Sequence, residues 1–128
     1  MEIQRSIDIE DVVREIIADH QTVYCRPLPE NFTLPCLLVS QVGGSDTDQV
    51  DTFEIVLDSR AEDEATALLT LRNAVGILRQ AVKDQNTPVN SIKVNSSGSW
   101  GSDPVRPDLA MCSARIRVTA HLETATIY

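Results

Sequence analysis

The hydrophobic residues near the N-terminus recur with the period of a helix. In DIEDVVREIIAD, residues 8–19, apolar positions are three or four residues apart, which places them on one stripe of an α-helix. Ser6 or Asp8 can cap this helix, because a short oxygen-bearing side chain accepts from the free amides of a first turn. We therefore predict an amphipathic helix here. Its stripe consists of Ile9, Val12, Val13, Ile16 and Ile17.

The next apolar stretches predict strands. Residues 36–42, CLLVSQV, form a strand that is buried on both faces at its start, and residues 50–60, VDTFEIVLDSR, alternate with period two. Gly43 and Gly44 are expected to release the first strand into a turn, so that the two strands form a hairpin with a connection longer than two residues. A short strand is predicted at 23–26, before a proline-rich extended loop. The inward positions of the second hairpin strand are Phe53, Ile55 and Leu57.

A long helix is predicted after the hairpin. The residues SRAE at 59–62 have the pattern of a capping box, in which Ser59 and Glu62 each satisfy the other's backbone amide. Apolar residues then recur every three or four positions to about Lys83. Gly76 costs about 1 kcal/mol relative to alanine inside a helix, so we expect a close packing contact there. The stripe consists of Ala65, Leu68, Leu71, Val75, Leu78 and Val82, widened by Leu69 and Ile77.

The last part of the chain predicts two strands separated by an irregular loop. Residues 90–96 alternate and form the first strand, and residues 97–108 form a loop that contains the single tryptophan, Trp100. The final strand alternates most clearly, which is typical of an antiparallel strand with one covered and one polar face. Its apolar face carries Cys112, Ala114, Ile116, Val118, Ala120 and Leu122, and its polar face carries Ser113, Arg115, Arg117, Thr119 and His121.

This order of elements predicts an α+β fold. Strands arrive in hairpins, and two helices are available to cover one side of a sheet. We expect a two-layer sandwich, with an antiparallel or mixed sheet of about four to five strands and two helices on one face. The length of 128 residues predicts a single domain over residues 1–128.

Charge and cysteine content narrow the range of functions. A formal net charge of −8 argues against non-specific nucleic-acid binding, which needs lysine and arginine to neutralise phosphates. Three separated cysteines predict free thiols in a reducing compartment. No segment has the apolar run of a signal peptide or the roughly 18 residues of a membrane span, so a soluble, cytoplasmic protein is expected.

Candidate catalytic groups do not form a pattern. The separation of Cys112 and His121 is odd, so the two point to opposite faces of one strand, and Cys25 beside His20 is expected to be an unreactive thiol. GG at 43–44 and GSWG at 98–101 lack the following lysine and helix of a phosphate loop. We predict no catalytic residues and no cofactor.

One acidic segment partly matches a calcium loop. Asp46, Asp48 and Asp51 have part of the spacing, but the glycine at position six and the late glutamate are missing. We predict a solvated acidic turn and no metal site.

The remaining features favour function by contact. Trp100 either closes the rim of its own core or anchors an interface, since buried aromatic residues often dominate association energies. Arg115 and Arg117 are either solvated or paired with acids of a neighbouring subunit. We predict that the loop at Gly43–Gln49 reaches a protein partner. The candidate interface residues are Gly43, Gly44, Ser45, Asp46, Thr47, Asp48, Gln49, Trp100, Asp103, Arg106, Arg115 and Arg117.

Three segments together resemble the tail terminator (tail completion) proteins of long-tailed bacteriophages. They are VYCRPLPENFTLPCLLVSQVGGSD after the first helix, VDTFEIVLDSRAEDEATALLTLRNAVGIL, and SIKVNSSGSWGSDPVRPDLAMCSARIRVTAHL. The resemblance covers nearly the whole chain and rests on pattern, without a diagnostic motif.

The resemblance implies a structural virion protein of the tail or neck, assembled in the bacterial cytoplasm. Its subunits would form a hexameric ring that ends the growth of the tail tube and docks the head connector. The implied partners are further copies of the chain, the tail tube protein and the head–tail connector protein, while DNA passes through an acidic lumen without specific binding. The alternatives are another neck protein of the same particle and a small-ligand-binding regulatory module.

Overall fold

The computed structural model describes residues 1–46 and 50–128, with Asp46 described by its backbone alone. The described elements in chain order are β1 (Glu2–Arg5), α1 (Ile9–Ala18), β2 (Val23–Cys25), β3 (Cys36–Asp46), β4 (Val50–Ala61), α2 (Glu64–Asp84), β5 (Val89–Ser102), β6 (Ala110–His121) and β7 (Glu123–Thr126).

The structure is a two-layer α+β sandwich, as predicted. The main sheet has five strands in the order β2-β3-β4-β6-β5. It is mixed, because β2 runs parallel to β3 while every other neighbouring pair is antiparallel. Helix α2 packs on the central strands, and α1 packs beside it on β2 and β3. One face of the sheet is therefore covered by helices.

The periodic apolar positions of the sequence form the core between these layers. Ile9, Val13 and Ile17 of α1 are at most 1% exposed, and Asp8 caps the helix by accepting from the amide of Asp11 at 3.2 Å. The inward residues of β4 and β6 are buried as predicted, while Leu122 lies just beyond the end of β6 and is half-buried. The core is aliphatic, since Phe53 is its only buried aromatic side chain among the described residues.

The turn predicted at Gly43 and Gly44 is wrong. Strand β3 continues through both glycines to Asp46, with a register shift between Gln41 and Gly43. A Cβ on Gly44 would lie 2.5 Å from the carbonyl oxygen of Thr52 on the paired strand. Glycine at this position therefore permits a close approach of two backbones and does not mark the end of the strand.

The capping box predicted at Ser59 is also wrong. Strand pairing continues to Ala61, so Ser59 lies in β4, where its buried hydroxyl is 2.8 Å from the carbonyl oxygen of Ala67. The cap of α2 is Asp63, which accepts from the amide of Thr66 at 2.8 Å. The sequence contains two capping patterns in succession, and the extent of strand pairing selects the second.

The buried stripe of α2 is correspondingly shifted. Ala65 and Leu69 are exposed, whereas Ala67, Thr70 and Ala74 join the predicted Leu71, Val75 and Leu78 in the buried set. A Cβ on Gly76 would meet no atom within 4 Å apart from the helix's own neighbouring backbone, so the predicted close contact there is wrong as well.

Strand β5 is longer than predicted. It runs to Ser102 with three register shifts against β6, so the first half of the loop predicted at 97–108 is strand. Strands β1 and β7, which were not predicted, form a two-stranded antiparallel ribbon with Ile3 opposite Ala125. Both segments are rich in polar residues and give only a weak apolar alternation.

Candidate protein-contact surface

The face of the sheet opposite the helices carries the two predicted arginines. Arg115 and Arg117 of β6 are exposed, and Arg117 donates to the carboxylate of Glu54 on β4 at 2.9 Å. The guanidinium of Arg115 has no hydrogen-bond acceptor and no ion-pair partner among residues 1–46 and 50–128. Of the two arginines, only Arg115 therefore presents an uncompensated cation to the surroundings.

The main sheet has two edges of very different length. The outer edge of β2 belongs to a three-residue strand, whereas β5 offers fourteen residues whose side chains are mostly exposed. Trp100 of β5 lies opposite Cys112 of β6 and is 49% exposed. With about half of its surface open to solvent, Trp100 leaves both predicted roles, closure of the core rim and an interface anchor, as predictions.

Asp103 begins the loop between β5 and β6 and is buried. One carboxylate oxygen accepts from Nε of Arg60 at 2.6 Å, and the other accepts from the amides of Val105 and Arg106 at 2.8 Å each. Burial acts to raise the pKa of Asp103, and these hydrogen bonds outweigh it, so the pKa lies below its ordinary value. Asp103 therefore holds the loop on the sheet and does not present its carboxylate to a partner.

Arg106 is the exposed member of the same loop. Its guanidinium lies 3.0 Å from the carboxylate of Asp108, and both side chains are about half exposed or more. The hydrogen bond from Arg106 lowers the pKa of Asp108. The pair is accessible to a protein that approaches this end of the sheet.

Glu10 of α1 fixes the part of β3 that leads to the glycines. One of its carboxylate oxygens accepts from Nη2 of Arg26 at 2.6 Å and from the amide of Gln41 at 3.0 Å. Burial works to raise the pKa of Glu10, but these hydrogen bonds and the positive charge of Arg26 lower it below its ordinary value. The hydrogen bond to Glu10 therefore fixes strand β3 to helix α1 at Gln41.

Beyond this anchor lie the first candidate contact residues. Gly43, Gly44 and Ser45 are exposed and belong to β3. Thr47, Asp48 and Gln49 lie outside the described residues, and Asp46 is described by its backbone alone.

The sequence predicts that Asp51 belongs to a solvated acidic turn, and this prediction is wrong. Asp51 lies on the helix-covered side of β4, in phase with Phe53, and is 2% exposed. It lines a pocket of about 340 Å³ together with Gln41 and Phe53. The signal that sequence reasoning missed is this phase, because position 51 continues the inward series 53, 55, 57. The other residues that line the pocket are Ser6, Gly43, Gly44, Ser45 and Thr52.

Most of the described candidate residues fall into two separate groups. Gly44, Ser45, Glu54 and Arg117 border one shallow depression, which we call the hairpin-end cluster. Trp100, Asp103 and Arg106 lie where Ser102 pairs with Ala110, at the opposite end of β6, and form the loop-end cluster. The antiparallel register of β4 and β6 separates the two clusters along the sheet.

One concave region lies between the two helices. It has a volume of about 660 Å³, and its lining includes Ile16, His20 and Ile77. No cysteine or serine is among its described lining residues, which include His20, Thr87 and the carboxylates of Glu15, Asp19 and Asp84. Among the described residues, no three histidine, cysteine, aspartate or glutamate side chains are grouped to hold a metal ion.

The three cysteines are free thiols with low reactivity at neutral pH. Cys36 and Cys112 are buried, and Cys25 is half-buried, with its sulfur 3.4 Å from the carbonyl oxygen of Glu10. Burial raises the pKa of each thiol, and the nearby Glu10 adds to the effect at Cys25. The thiolate that a nucleophilic cysteine requires is therefore disfavoured.

Models of protein families give no match to this sequence, and a search of curated proteins gives none either. Neither described helix has the length and apolar composition that a membrane-crossing helix requires.

Proposed function

We propose that this protein is a structural subunit of a phage tail, one that forms a hexameric ring at the head-proximal end of the tail tube, stops its growth and docks the head connector. The observation that carries the proposal is the long edge strand β5. Its fourteen residues form a sheet edge that pairs with β6 on one side and with no other described strand on the other. Such an edge is a hazard in a free monomer and a natural joint in an oligomer.

The arrangement of the two clusters supports a ring. A ring of identical subunits needs a heterologous contact, in which two different patches of one subunit meet the complementary patches of its neighbours. The hairpin-end and loop-end clusters are two such patches at opposite ends of the sheet. A tube and a connector would then meet the remaining exposed surfaces of the ring.

The net charge supports passage of DNA through such a ring. With a formal charge of −8, the subunit repels the phosphate backbone on average. A lumen lined by part of this charge lets a genome pass without adhering to the wall. We propose no specific contact with DNA and no catalytic step.

The test asks whether the protein forms rings and whether β5 forms the contact between their subunits. Native mass spectrometry and negative-stain microscopy are applied to the purified chain, alone and mixed with tubes of a phage tail tube protein. We expect rings in at least one of these conditions. The variant Ser97→Lys with Ser99→Lys places two charges on exposed positions of β5 and should abolish the rings.

A matched control carries the same charges elsewhere. Asn31→Lys with Asn73→Lys alters exposed positions outside β5 and should leave the rings intact. A chain that stays monomeric under both conditions, or rings that survive the β5 substitutions, would overturn the proposal. A monomer that gains thermal stability with a metabolite would favour the small-ligand module, and tubes of normal length in the absence of the protein would favour another neck protein.

A further inference from the structure

The carboxylate of Asp51 is buried and has no partner among residues 1–46 and 50–128. Asp51 is 2% exposed, and neither of its oxygens accepts a hydrogen bond from these described residues. Buried carboxylates in proteins are normally paired or hydrogen-bonded, because desolvation of an isolated charge is costly. Asp103 shows the usual solution in the same chain, since it accepts from one guanidinium and two amides.

Apart from Asp51, the described residues that line the pocket are neutral, and the hydroxyls of Ser6, Ser45 and Thr52 can both donate and accept hydrogen bonds. Neither lysine nor arginine lines it. The one side-chain amide among the described lining residues is that of Gln41, and its Nε2 lies 3.5 Å from the carbonyl oxygen of Gly43. The two carboxylate oxygens are closed to solvent, so an entering group must displace part of the lining. Gly43, Gly44 and Ser45 carry little side chain and obstruct such an entry weakly.

The chemistry of the lining favours an organic cation over a metal ion. A bound Ca²⁺ takes six to eight oxygen ligands, usually several of them carboxylates. The described lining provides one carboxylate, and a volume of about 340 Å³ exceeds what a bare ion fills. An ammonium or guanidinium group supplies the missing donors to both oxygens and has an alkyl stem that can lie against Phe53.

We infer that this pocket receives the lysine or arginine side chain of an adjoining protein subunit. The inference rests on the proposed function, because Gly43, Gly44 and Ser45 of β3, which line the pocket, belong to the surface proposed to contact a partner. It names the chemistry of the partner, which is a basic side chain that projects from the surface meeting this end of the sheet. The buried position of Asp51 makes the contact specific, since the inserted cation loses water and needs the carboxylate in return.

The probe is a capped lysine, N-acetyl-lysine-N′-methylamide, titrated into the isotopically labelled chain and followed by amide chemical shifts. We expect saturable shifts at Ser6, Gly43, Gly44 and Thr52. The capped norleucine analogue has the same stem without the ammonium and should cause none. Asp51→Asn keeps the shape of the side chain and should weaken capped-lysine binding by at least about tenfold.

A carboxylate on the same strand provides the control. Asp58→Asn lies on the opposite face of β4, keeps an oxygen for the hydroxyl of Ser113 and should bind as the unaltered chain does. Asp51→Asn should melt no lower than the unaltered chain, because it removes a buried carboxylate that accepts no hydrogen bond from the described residues. A folded Asp51→Asn variant therefore separates loss of binding from loss of structure.

Three outcomes would overturn the inference. They are shifts that do not saturate or that norleucine reproduces, saturable binding of CaCl₂ at the same amides without binding of capped lysine, and binding of spermidine far tighter than of capped lysine, which would point to a free polyamine. The titration uses the isolated chain in solution. Its failure is thus distinguishable from failure to form rings, and either result can occur without the other.

Discussion

Two carboxylates of this chain are buried to nearly the same degree and have opposite surroundings. Asp103 is 4% exposed and receives a guanidinium and two amides, while Asp51 is 2% exposed and receives no donor from the described chain. The first arrangement stabilises the fold, and the second costs stability that a bound group would restore. A residue's exposure alone therefore does not reveal its role.

Loss of the Asp103 carboxylate should greatly lower the free energy of unfolding. Asp103→Ala leaves the guanidinium of Arg60 buried without its partner and frees the amides that hold the loop, so we expect a loss of about 3–5 kcal/mol in the free energy of unfolding. Urea denaturation measures it. Asp108→Ala removes the exposed partner of Arg106 and should cost less than about 1 kcal/mol. Equal losses in the two variants would contradict a special role for the buried pair.

Individual contacts of this kind are hard to derive from sequence. Arg60 and Asp103 are 43 positions apart, and no periodicity links them. The burial of Asp51 could be partly predicted from the sequence, because its inward position follows from the alternation of β4. The competing cue was the neighbouring acidic segment, which favoured a solvated turn.

At the scale of elements, prediction succeeded where burial is one-sided. Helix α1 and strands β4 and β6 each bury one stripe or face, so their apolar residues recur with a clear period. Prediction failed where main-chain hydrogen bonds form a strand that has no regular pattern of apolar side chains. The end of β5 and the ribbon of β1 and β7 are such cases, because main-chain pairing forms them from serine, threonine, glycine and charged residues.

Two glycines allow the element-scale account to be tested. Gly76→Ala adds a methyl group to open space on a helix and should stabilise the protein by about 1 kcal/mol. Gly44→Ala drives a methyl group against the carbonyl oxygen of Thr52 and should destabilise it by about 1–3 kcal/mol. Thermal unfolding of both variants measures the difference, and effects of the same sign would refute this account of β3.

At the scale of the whole molecule, the sequence predicted the class of fold and the layer that the helices form. It did not predict that the candidate contact residues divide into two clusters. That division depends on the register between β4 and β6, which turn chemistry and bulges decide, and which a single sequence does not specify.

The pH dependence of stability is also a property of the whole chain. The pKa values of Glu10 and Asp103 are lowered in the folded state, so their stabilising effect is complete above the unfolded pKa and is lost as the pH falls through the folded pKa. We therefore expect the melting temperature to fall steeply once the pH drops below the usual carboxylate range of roughly 4–4.5. Calorimetry from neutral to acidic pH measures it.

The outcome separates this effect from net charge. Acidification also reduces the charge of −8 and relieves self-repulsion, which acts in the opposite direction. The Asp103→Asn variant should show a shallower acid limb than the unaltered chain. A melting temperature that rises steadily into the acid range would contradict the role of these carboxylates.

The order of strands determines which parts of the molecule unfold locally. β4 and β6 are flanked by strands on both sides and bury their inward residues, whereas β2 has three residues at one border and the ribbon stands apart from the main sheet. Thermal fluctuations will therefore release the periphery many times for each complete unfolding. A partner that seals these borders would slow such local fraying while leaving the protected centre unchanged.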